Sequence, residues 1–386
     1  MNRNILALDF GSEKITAVLA ATDEETGTLR LRRAFSQPCP AVNACFVRDL
    51  AGAADALSKL FADISEYVSF NPTVVVGLRG NFLSFKRASG FKNTEGRNRI
   101  VSAKDIQDAI DNSIPSNLNE TLEVVDILPQ SYTIDGNVGI KNPKGMAGFC
   151  LEVETFISCA MVTHLNNLNK ILADCECNDY QVIPSSVALG ETLLRPEEKQ
   201  GGTMLLDIGG AHSSAIMYHK GTIVDAWELS CGTEHMAQEV ADLLQNDLPS
   251  ARQVLKEYRP GDDDIMDDVL EDASKNMLKQ IKKELLQSLL YVKYPSANVV
   301  ICGGGANKTL LKAAKNVFSA RKIRLAGHED LIADFEDAEK PSYTTGISLI
   351  LHALVLESRL ASPVPKKKEE GFLGGILSKL GLNELI

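Results

Sequence analysis

Residues 203–217 read TMLLDIGGAHSSAIM, and this pattern predicts two strands joined by a short turn. The apolar run before Asp207 has the character of a buried strand, and the last three residues of the stretch read as a return strand. Gly209 and Gly210 let the turn bend and leave backbone N–H groups open to an anion. The acid at the strand end suits a metal ion or its bound water. An ordinary hairpin and a phosphate-binding turn both fit this stretch when it is taken alone.

The same arrangement of strand, Asp-x-Gly turn and strand occurs near the N-terminus. Ile5–Leu8 and Ile15–Ala21 are apolar, and Asp9 begins the turn between them. Three residues of this turn offer a phosphate a backbone amide, a hydroxyl and an ammonium group: Gly11, Ser12 and Lys14. Two such turns, about 200 residues apart, predict two related half-domains that face one nucleotide.

A third glycine turn follows another buried strand, Val299–Cys302. It consists of Gly303, Gly304 and Gly305, and a helical pattern begins shortly after it. A strand, a glycine turn and a helix N-terminus together form a site for a phosphate or a nucleoside. The turn is neither a Walker A loop nor a dinucleotide fingerprint, because residues 307 and 308 are asparagine and lysine where those motifs need glycine.

The totals limit the class of protein. A chain of 386 residues suggests two or more domains, and 44% hydrophobic with 24% charged residues is typical of globular proteins. The net charge of −11 argues against nucleic acid as a partner. The chain shows no apolar run of the roughly 18–20 residues that span a bilayer, and we expect no secretory signal. The eight scattered cysteines are interpreted as reduced thiols of a cytosolic protein.

Two regions of the middle of the chain have a distinct pattern. Residues 83–160 predict a small α+β insertion, whose helix begins with a capping-box variant formed by Ser102 and Asp105. The acidic run Arg259–Asp272 suits the start of a solvated helix, because acids favour the positive end of a helix dipole. Asn276–Tyr294 then predicts one continuous amphipathic helix, with Leu289 and Val292 on its apolar stripe.

The C-terminal tail predicts an amphipathic helix beyond a linker that is rich in Ser, Pro and Lys. Five apolar residues fall on one face at helical spacing: Phe372, Leu373, Ile376, Leu377 and Leu380. Such a face beside the lysines at 366–368 suits a bilayer surface or the groove of a partner. A helix that folds back on its own domain is the alternative.

The order of the three glycine turns resembles the actin-like ATPase superfamily, which also includes sugar kinases and heat-shock chaperones. In that superfamily the first two turns hold the phosphates and the third holds the adenosine. Residues 128–135 (LPQSYTID) and 139–148 (GIKNPKGMAG) closely resemble the inserted subdomain of the bacterial cell-division family FtsA. The first turn and the tail also resemble that family, so the likeness covers nearly the whole chain.

The resemblance implies an α/β, two-lobed actin-like fold with an inserted small α+β subdomain, called 1C, and a C-terminal amphipathic helix. The implied segments are listed here with the subdomain names of the family: 1–82, 161–199 and 342–359 for 1A, 83–160 for 1C, 200–232 and 298–341 for 2A, 233–297 for a shortened 2B, 360–370 for a flexible linker and 371–386 for the membrane-targeting helix.

It also implies a function. The family is peripheral on the cytoplasmic face of the membrane at the division site, polymerises like actin, and tethers the tubulin-like protein FtsZ, while 1C contacts other division proteins. ATP and Mg²⁺ would bind in the cleft, with hydrolysis slow at most. By this resemblance Asp9 and Asp207 order Mg²⁺ and water. By the same resemblance, the phosphates bind to Gly11, Ser12, Lys14, Gly209 and Gly210. The adenosine lies near Gly303, Gly304 and Gly305.

The second turn departs from the superfamily pattern Asp-x-Gly-Gly-Gly-Thr-x-Asp. Ala211, His212 and Ser214 replace the third glycine, the threonine and the second acid. Two oxygens that order metal or water are therefore missing. His212 is interpreted either as a donor to a phosphate or as a tolerated loop histidine. Two alternative functions remain: a small-molecule kinase, which needs a catalytic acid facing a substrate cleft, and a pilus-assembly scaffold, which does not need the tail.

Overall fold

The computed structural model describes residues 2–12, 14–23, 28–43, 46–68, 72–259, 261–294, 296–329 and 331–360. The linker from residue 361 onward and the predicted helix 371–386 lie outside the described residues, as do Phe372, Leu373, Ile376, Leu377 and Leu380. None of the helices in these ranges combines the length and the apolar character needed to cross a membrane.

Strands and helices follow one another in two similar halves, and a mainly antiparallel unit is inserted in the first half. The strands are β1 (Asn2–Phe10), β2 (Lys14–Asp23), β3 (Leu29–Pro38), β4 (Val42–Asn43), β5 (Phe46–Val47), β6 (Thr73–Leu78), β7 (Leu83–Asn93), β8 (Leu122–Ile134), β9 (Asn137–Ile140), β10 (Cys150–Met161), β11 (Tyr180–Pro184), β12 (Thr203–Ile208), β13 (Ser213–His219), β14 (Thr222–Leu229), β15 (Asn298–Cys302), β16 (Lys322–Leu325) and β17 (Ile332–Ala333). The helices are α1 (Leu50–Ser65), α2 (Ala103–Asp111), α3 (Val162–Asp174), α4 (Ser185–Leu193), α5 (Pro196–Gly201), α6 (Thr233–Leu244), α7 (Leu248–Glu257), α8 (Asp264–Leu285), α9 (Leu289–Lys293), α10 (Lys308–Val317) and α11 (Thr344–Leu360), with a 3₁₀ turn at Pro341–Tyr343.

The two large sheets share one topology. In the first lobe the order is β11-β6-β1-β2-β3-β17, and in the second lobe it is β14-β13-β12-β15-β16. In each sheet three consecutive strands form an antiparallel meander, and two further strands run parallel to its first strand. Asp9 lies opposite Gly77, and Asp207 lies opposite Cys302. The internal repeat therefore places the two predicted turns at equivalent ends of the two sheets.

The insertion is a four-stranded sheet in the order β7-β10-β8-β9, with α2 packed on one face. The Ser102 hydroxyl accepts from the Asp105 amide at 3.1 Å, and the Asp105 carboxylate accepts from the Ser102 amide at 2.9 Å. The Ser102 hydroxyl also donates to the Asp105 carboxylate at 2.6 Å, and this hydrogen bond, together with the one from the Ser102 amide, lowers the pKa of Asp105. The predicted capping box is thus present, and it fixes the start of the helix.

One apolar cluster joins the insertion to both lobes. Leu128 and Phe156 of the insertion are buried in it together with Val187 of α4. On the other side the cluster contains Leu205 and Ile216 of the second sheet. The Gln130 side chain also accepts from the Ile223 amide of β14 at 2.7 Å. Insertion, α4 and second lobe therefore share a core, which sets the insertion at the side of the cleft.

The prediction of one continuous helix over Asn276–Tyr294 is wrong. Helix α8 begins at Asp264, within the acidic run, where the Asp263 side chain accepts from the Ile265 amide at 2.8 Å. It ends at Leu285, and α9 begins separately after Ser288. Leu289 and Val292 are exposed, because the break turns them away from the stripe that the earlier residues bury.

Candidate nucleotide site

The structure brings the first two predicted turns into direct contact. Asp9 and Asp207 are buried at the ends of β1 and β12. Across the cleft between the lobes, the Ala211 amide donates to the Ser12 hydroxyl at 3.0 Å. A Cβ added to Gly210 would lie 3.3 Å from the Ser12 Oγ atom. Glycine at 210 therefore permits this close approach of the two turns.

The third turn packs against the second. Gly303 has a φ of +91°, and a Cβ there would lie 2.1 Å from an Asp207 carboxylate oxygen. The Gly305 amide donates to the Ile208 carbonyl at 2.9 Å. Gly304 is exposed, with no atom within 4 Å of an added Cβ. The three predicted turns thus converge at one end of the cleft, while Lys14 is exposed at the start of β2.

A residue that the sequence reasoning missed stands between the two aspartates. Arg79 follows β6, and its Nε lies 3.1 Å from an Asp9 carboxylate oxygen. Its Nη1 lies 3.2 Å from an Asp207 carboxylate oxygen, and its Nη2 donates to the Thr345 hydroxyl at 2.8 Å. One guanidinium group therefore faces both predicted metal ligands and the first turn of α11.

His212 is held by a second buried acid. Its Nε2 lies 2.6 Å from Glu228 Oε2, and both side chains are almost fully buried. The same Glu228 oxygen accepts from the Gly80 amide at 2.9 Å. Glu228 thus connects the second turn to the residue after Arg79. The interpretation of His212 as a merely tolerated loop residue is wrong, because its ring is packed and paired within the cleft.

Burial and the neighbouring charges both affect the pKa of Asp207 in the cleft. Burial raises the pKa of Asp207; the Arg79 guanidinium opposes that rise, and the nearby Asp9 and Glu228 carboxylates add to it. Burial also raises the pKa of the Cys302 thiol well above its usual value, and the Asp207 charge adds to that rise. Burial and the neighbouring carboxylates therefore disfavour the ionised form of Asp207, and the Arg79 charge favours it.

Magnesium coordinated directly by both Asp9 and Asp207 does not fit this arrangement, because the guanidinium of Arg79 already stands between them. Within the described ranges, His, Cys, Asp and Glu side chains form no group of three or more that could hold a metal ion. The metal role of the two aspartates and the nucleotide contacts of the glycine turns stay predictions. The arrangement itself provides charge neutralisation and closure between the lobes.

A sequence signal for Arg79 existed. The residue comes directly after the apolar run TVVVGL of β6, a strand that runs parallel to β1. The carboxyl ends of parallel strands meet at one edge of a sheet, which is where such folds bind ligands. A charged residue at that point is therefore placed beside Asp9. For Glu228 the sequence offered no comparable signal, because it lies within a strand and not at a strand end.

The two lobes and the cleft between them define the class of the fold, which is actin-like. A chain of the PilM-PilN type IV pilus biogenesis complex has a TM-score of 0.64 at 16% identity, covering 91% of this chain and 98% of that chain. MreB5 of Spiroplasma citri bound to ADP has a TM-score of 0.50 at 12% identity, with 93% and 99% covered. These likenesses establish the actin-like fold that the sequence predicted.

Within this class the similarity is to FtsA. The family described as "SHS2 domain inserted in FTSA" matches residues 80–158. The cell division protein FtsA of Neisseria meningitidis serogroup B is 23% identical over 410 residues, covering 98% of this chain and 97% of that protein. FtsA of Bacillus subtilis is 23% identical over 262 residues, covering 67% of this chain but only 59% of that protein. The chain is therefore similar to FtsA over almost its whole length, and the resemblance seen in the sequence is confirmed.

Proposed function

We propose that the protein is an actin-like scaffold of the bacterial division ring, which self-associates and links an FtsZ-type tubulin homologue to the cytoplasmic face of the membrane. One observation carries the proposal: the SHS2 insertion matching FtsA lies at 80–158 of an actin-like core whose similarity to FtsA extends over 98% of the chain. A scaffold needs binding surfaces and a rigid body more than it needs catalysis. The ion pairs and hydrogen bonds across the cleft supply rigidity.

Contacts with other division proteins through the insertion are part of this proposal. The insertion exposes large apolar side chains on strands and loops that face away from the shared core. Phe91, Val138 and Phe149 are exposed to 63%, 80% and 66%. Exposed large apolar side chains on one small domain support the proposal of a protein–protein contact.

Nucleotide binding belongs to the proposal at the level of the fold, since the MreB5 structure with the same fold holds ADP. The adenosine would approach Gly303, Gly304 and Gly305 at the start of α10, which Asn307 caps by accepting from the Leu310 amide at 2.8 Å. A helix N-terminus favours an anion. Hydrolysis, if any, is slow, because the second turn lacks the threonine and the second acid.

Membrane attachment through residues 371–386 rests on the sequence pattern. Leu377 and Ser378 provide matched positions, since at 100° per residue the helical pattern puts Leu377 on the apolar face and Ser378 outside it. Leu377→Lys and Ser378→Lys add the same charge, but only the first adds it to the apolar face. Each lysine gains about 1 kcal/mol near anionic lipid, so a difference between the two variants reports the apolar contact.

The experiment is sedimentation of the chain with liposomes that contain anionic lipid, with and without a purified FtsZ-type protein. We expect the full chain and Ser378→Lys to pellet and to carry FtsZ down, and Leu377→Lys and a chain ending at Val364 to stay in the supernatant. Equal pelleting of the full and shortened chains contradicts the membrane role. If the chain pellets but the added FtsZ stays in the supernatant, the tethering role is contradicted.

A pilus-assembly scaffold is the second candidate, and the likeness to a chain of the PilM-PilN complex favours it. Such a scaffold does not need the predicted tail helix. Failure of both FtsZ binding and tail-dependent pelleting, with self-association retained, would therefore favour the pilus role. Phosphorylation of a small-molecule panel would favour the kinase alternative.

A further inference from the structure

The internal repeat identifies Arg79 as an exceptional residue. In the second sheet Asp207 is paired with Cys302, and the residue two positions after Cys302 is Gly304, which has no side chain. In the first sheet Asp9 is paired with Gly77, and the residue two positions after Gly77 is Arg79. The equivalent position is therefore a glycine in one lobe and an arginine in the other, and the arginine side chain lies between the two aspartates.

Arg79 joins acids that come from different lobes. The Arg79 and Asp9 side chains are 10% exposed, and the Asp207 side chain is 2% exposed, so water screens these charges poorly. A charge in such a place needs a partner, and removing one partner leaves the other uncompensated. In an open cleft a nucleotide-bound divalent cation would supply positive charge beside these acids. Here the chain supplies it.

Groups that could otherwise bind a phosphate are also engaged within the protein. The Ala211 amide donates to the Ser12 hydroxyl, and the Gly11 amide donates to the Lys14 carbonyl at 2.9 Å. Further contacts across the cleft run from the Gly80 amide to Glu228 at 2.9 Å and from the Asn81 side chain to the Ser230 hydroxyl at 2.5 Å. The two lobes are therefore connected by the protein's own groups on both sides of Arg79.

We infer that Arg79 is a built-in substitute for the nucleotide-bound divalent cation. Its guanidinium supplies the positive charge between Asp9 and Asp207 and ties the lobe of β1 to the lobe of β12. The cleft is held closed without Mg²⁺, and a nucleotide that binds at the glycine turns does so without a divalent cation at this position. The inference concerns the cleft of the proposed scaffold and does not depend on its binding to FtsZ.

The first test uses the full chain. Its thermal unfolding midpoint is measured with ATP and EDTA, with ATP and MgCl₂, with MgCl₂ alone, and without additions. A ligand that binds only the folded state raises the midpoint. We expect the two ATP samples to unfold at the same temperature. A midpoint that rises only with Mg²⁺, or a fluorescent ATP analogue that binds at least about tenfold more weakly without Mg²⁺, overturns the inference.

The second test changes the cation. Arg79→Ser removes the guanidinium and opens its space, and Arg79→Lys keeps a positive charge. We expect Arg79→Ser to lower the midpoint by several degrees and to recover part of the loss with MgCl₂, and Arg79→Lys to stay insensitive to MgCl₂. Arg87→Ser removes an arginine from an exposed pair with Glu154, 3.5 Å apart, and should change little.

A folded Arg79→Ser variant with the wild-type midpoint and no response to Mg²⁺ contradicts the inference, because the acids then need no counter-charge. If Arg79→Ser does not fold, the wild-type chain and Arg79→Lys still test the inference. Stabilisation of either one by Mg²⁺ overturns the inference. If FtsZ does not pellet with the chain and the liposomes while the midpoint stays insensitive to Mg²⁺, only the proposed function is contradicted.

Discussion

Asp225 shows how one half-buried carboxyl group sets a dependence of stability on pH. Burial raises its pKa to about 6, although its side chain accepts from the Ala226 amide at 2.9 Å. In the unfolded chain an aspartate titrates near pH ~4. The unfolded state therefore loses its proton first, so this group reduces stability as pH rises from about 4 to 6, and the whole cost is present at pH 7.

Asp225→Asn removes this cost and keeps a carbonyl oxygen for the Ala226 amide. The full shift corresponds to roughly 3 kcal/mol, and because solvent screens this partly exposed group, we expect the variant to be more stable at pH 7.5 by up to about 2 kcal/mol. The gain should shrink as pH falls from 6 to 5. Urea unfolding at several pH values measures it. Asp262→Asn makes the same charge change at an exposed position and should have little effect at any pH. A gain that does not depend on pH would contradict the assignment to ionisation.

At this scale the sequence was informative about backbone positions and less so about charges. Asp9, Asp207 and the glycines were recognisable because the turn pattern is local in the sequence. Arg79 was recognisable only as a charged residue at the end of a strand parallel to β1, and its contact with Asp207, like the contacts of Glu228, depends on how the lobes meet. Charge neutralisation in a buried site depends on three-dimensional neighbours, which no spacing rule supplies.

Helix α6 begins against the second glycine turn, and this junction leaves no room for a side chain. The Thr233 and Glu234 amides donate to the Gly209 and Gly210 carbonyls at 3.0 and 2.9 Å. A Cβ added to Gly232 would lie 2.2 Å from the Gly210 oxygen. The backbone of Gly232 is extended, so any residue could adopt it. The constraint is therefore the space between helix and turn.

Gly232→Ala should therefore push α6 away from the turn and weaken both hydrogen bonds. We expect a loss of about 2–4 kcal/mol in the free energy of unfolding, measured by urea denaturation. Gly304→Ala is the matched control, because an added Cβ there meets no atom within 4 Å. Equal stability of the two variants would show that the junction is looser than this packing implies.

Among the helices, the ends were harder to predict than their existence. The pattern over Asn276–Tyr294 was apolar at helical spacing throughout, yet Ser288 caps a new helix by accepting from the Tyr291 amide at 3.4 Å. Helix α7 was not predicted at all, although Asp247 accepts from the Ser250 amide at 2.8 Å as an ordinary N-cap. Caps compete with apolar periodicity, and the balance depends on what each face meets.

For the whole molecule, the repeat of two sheets was predictable, because each half carries its own Asp-x-Gly turn between apolar strands. The way the two halves pack together was not predictable, because the cluster that joins them contains residues of the insertion, α4 and the second sheet. Phe156 is fully buried in that cluster, although it belongs to a strand of the insertion. The insertion therefore contributes to the stability of the core as well as to its surface.

Phe156→Ala tests this coupling across the molecule. Truncating a buried phenylalanine costs about 3–5 kcal/mol, and because the cluster is shared, the loss should reach the second lobe. The single tryptophan, Trp227, lies in β14 of that lobe and reports its unfolding by fluorescence. We expect Phe156→Ala to lower the midpoint seen by Trp227, whereas Phe149→Ala, at a side chain 66% exposed, should not. An unchanged Trp227 transition, with circular dichroism showing loss of structure elsewhere, would mean that the insertion unfolds independently of the actin-like core.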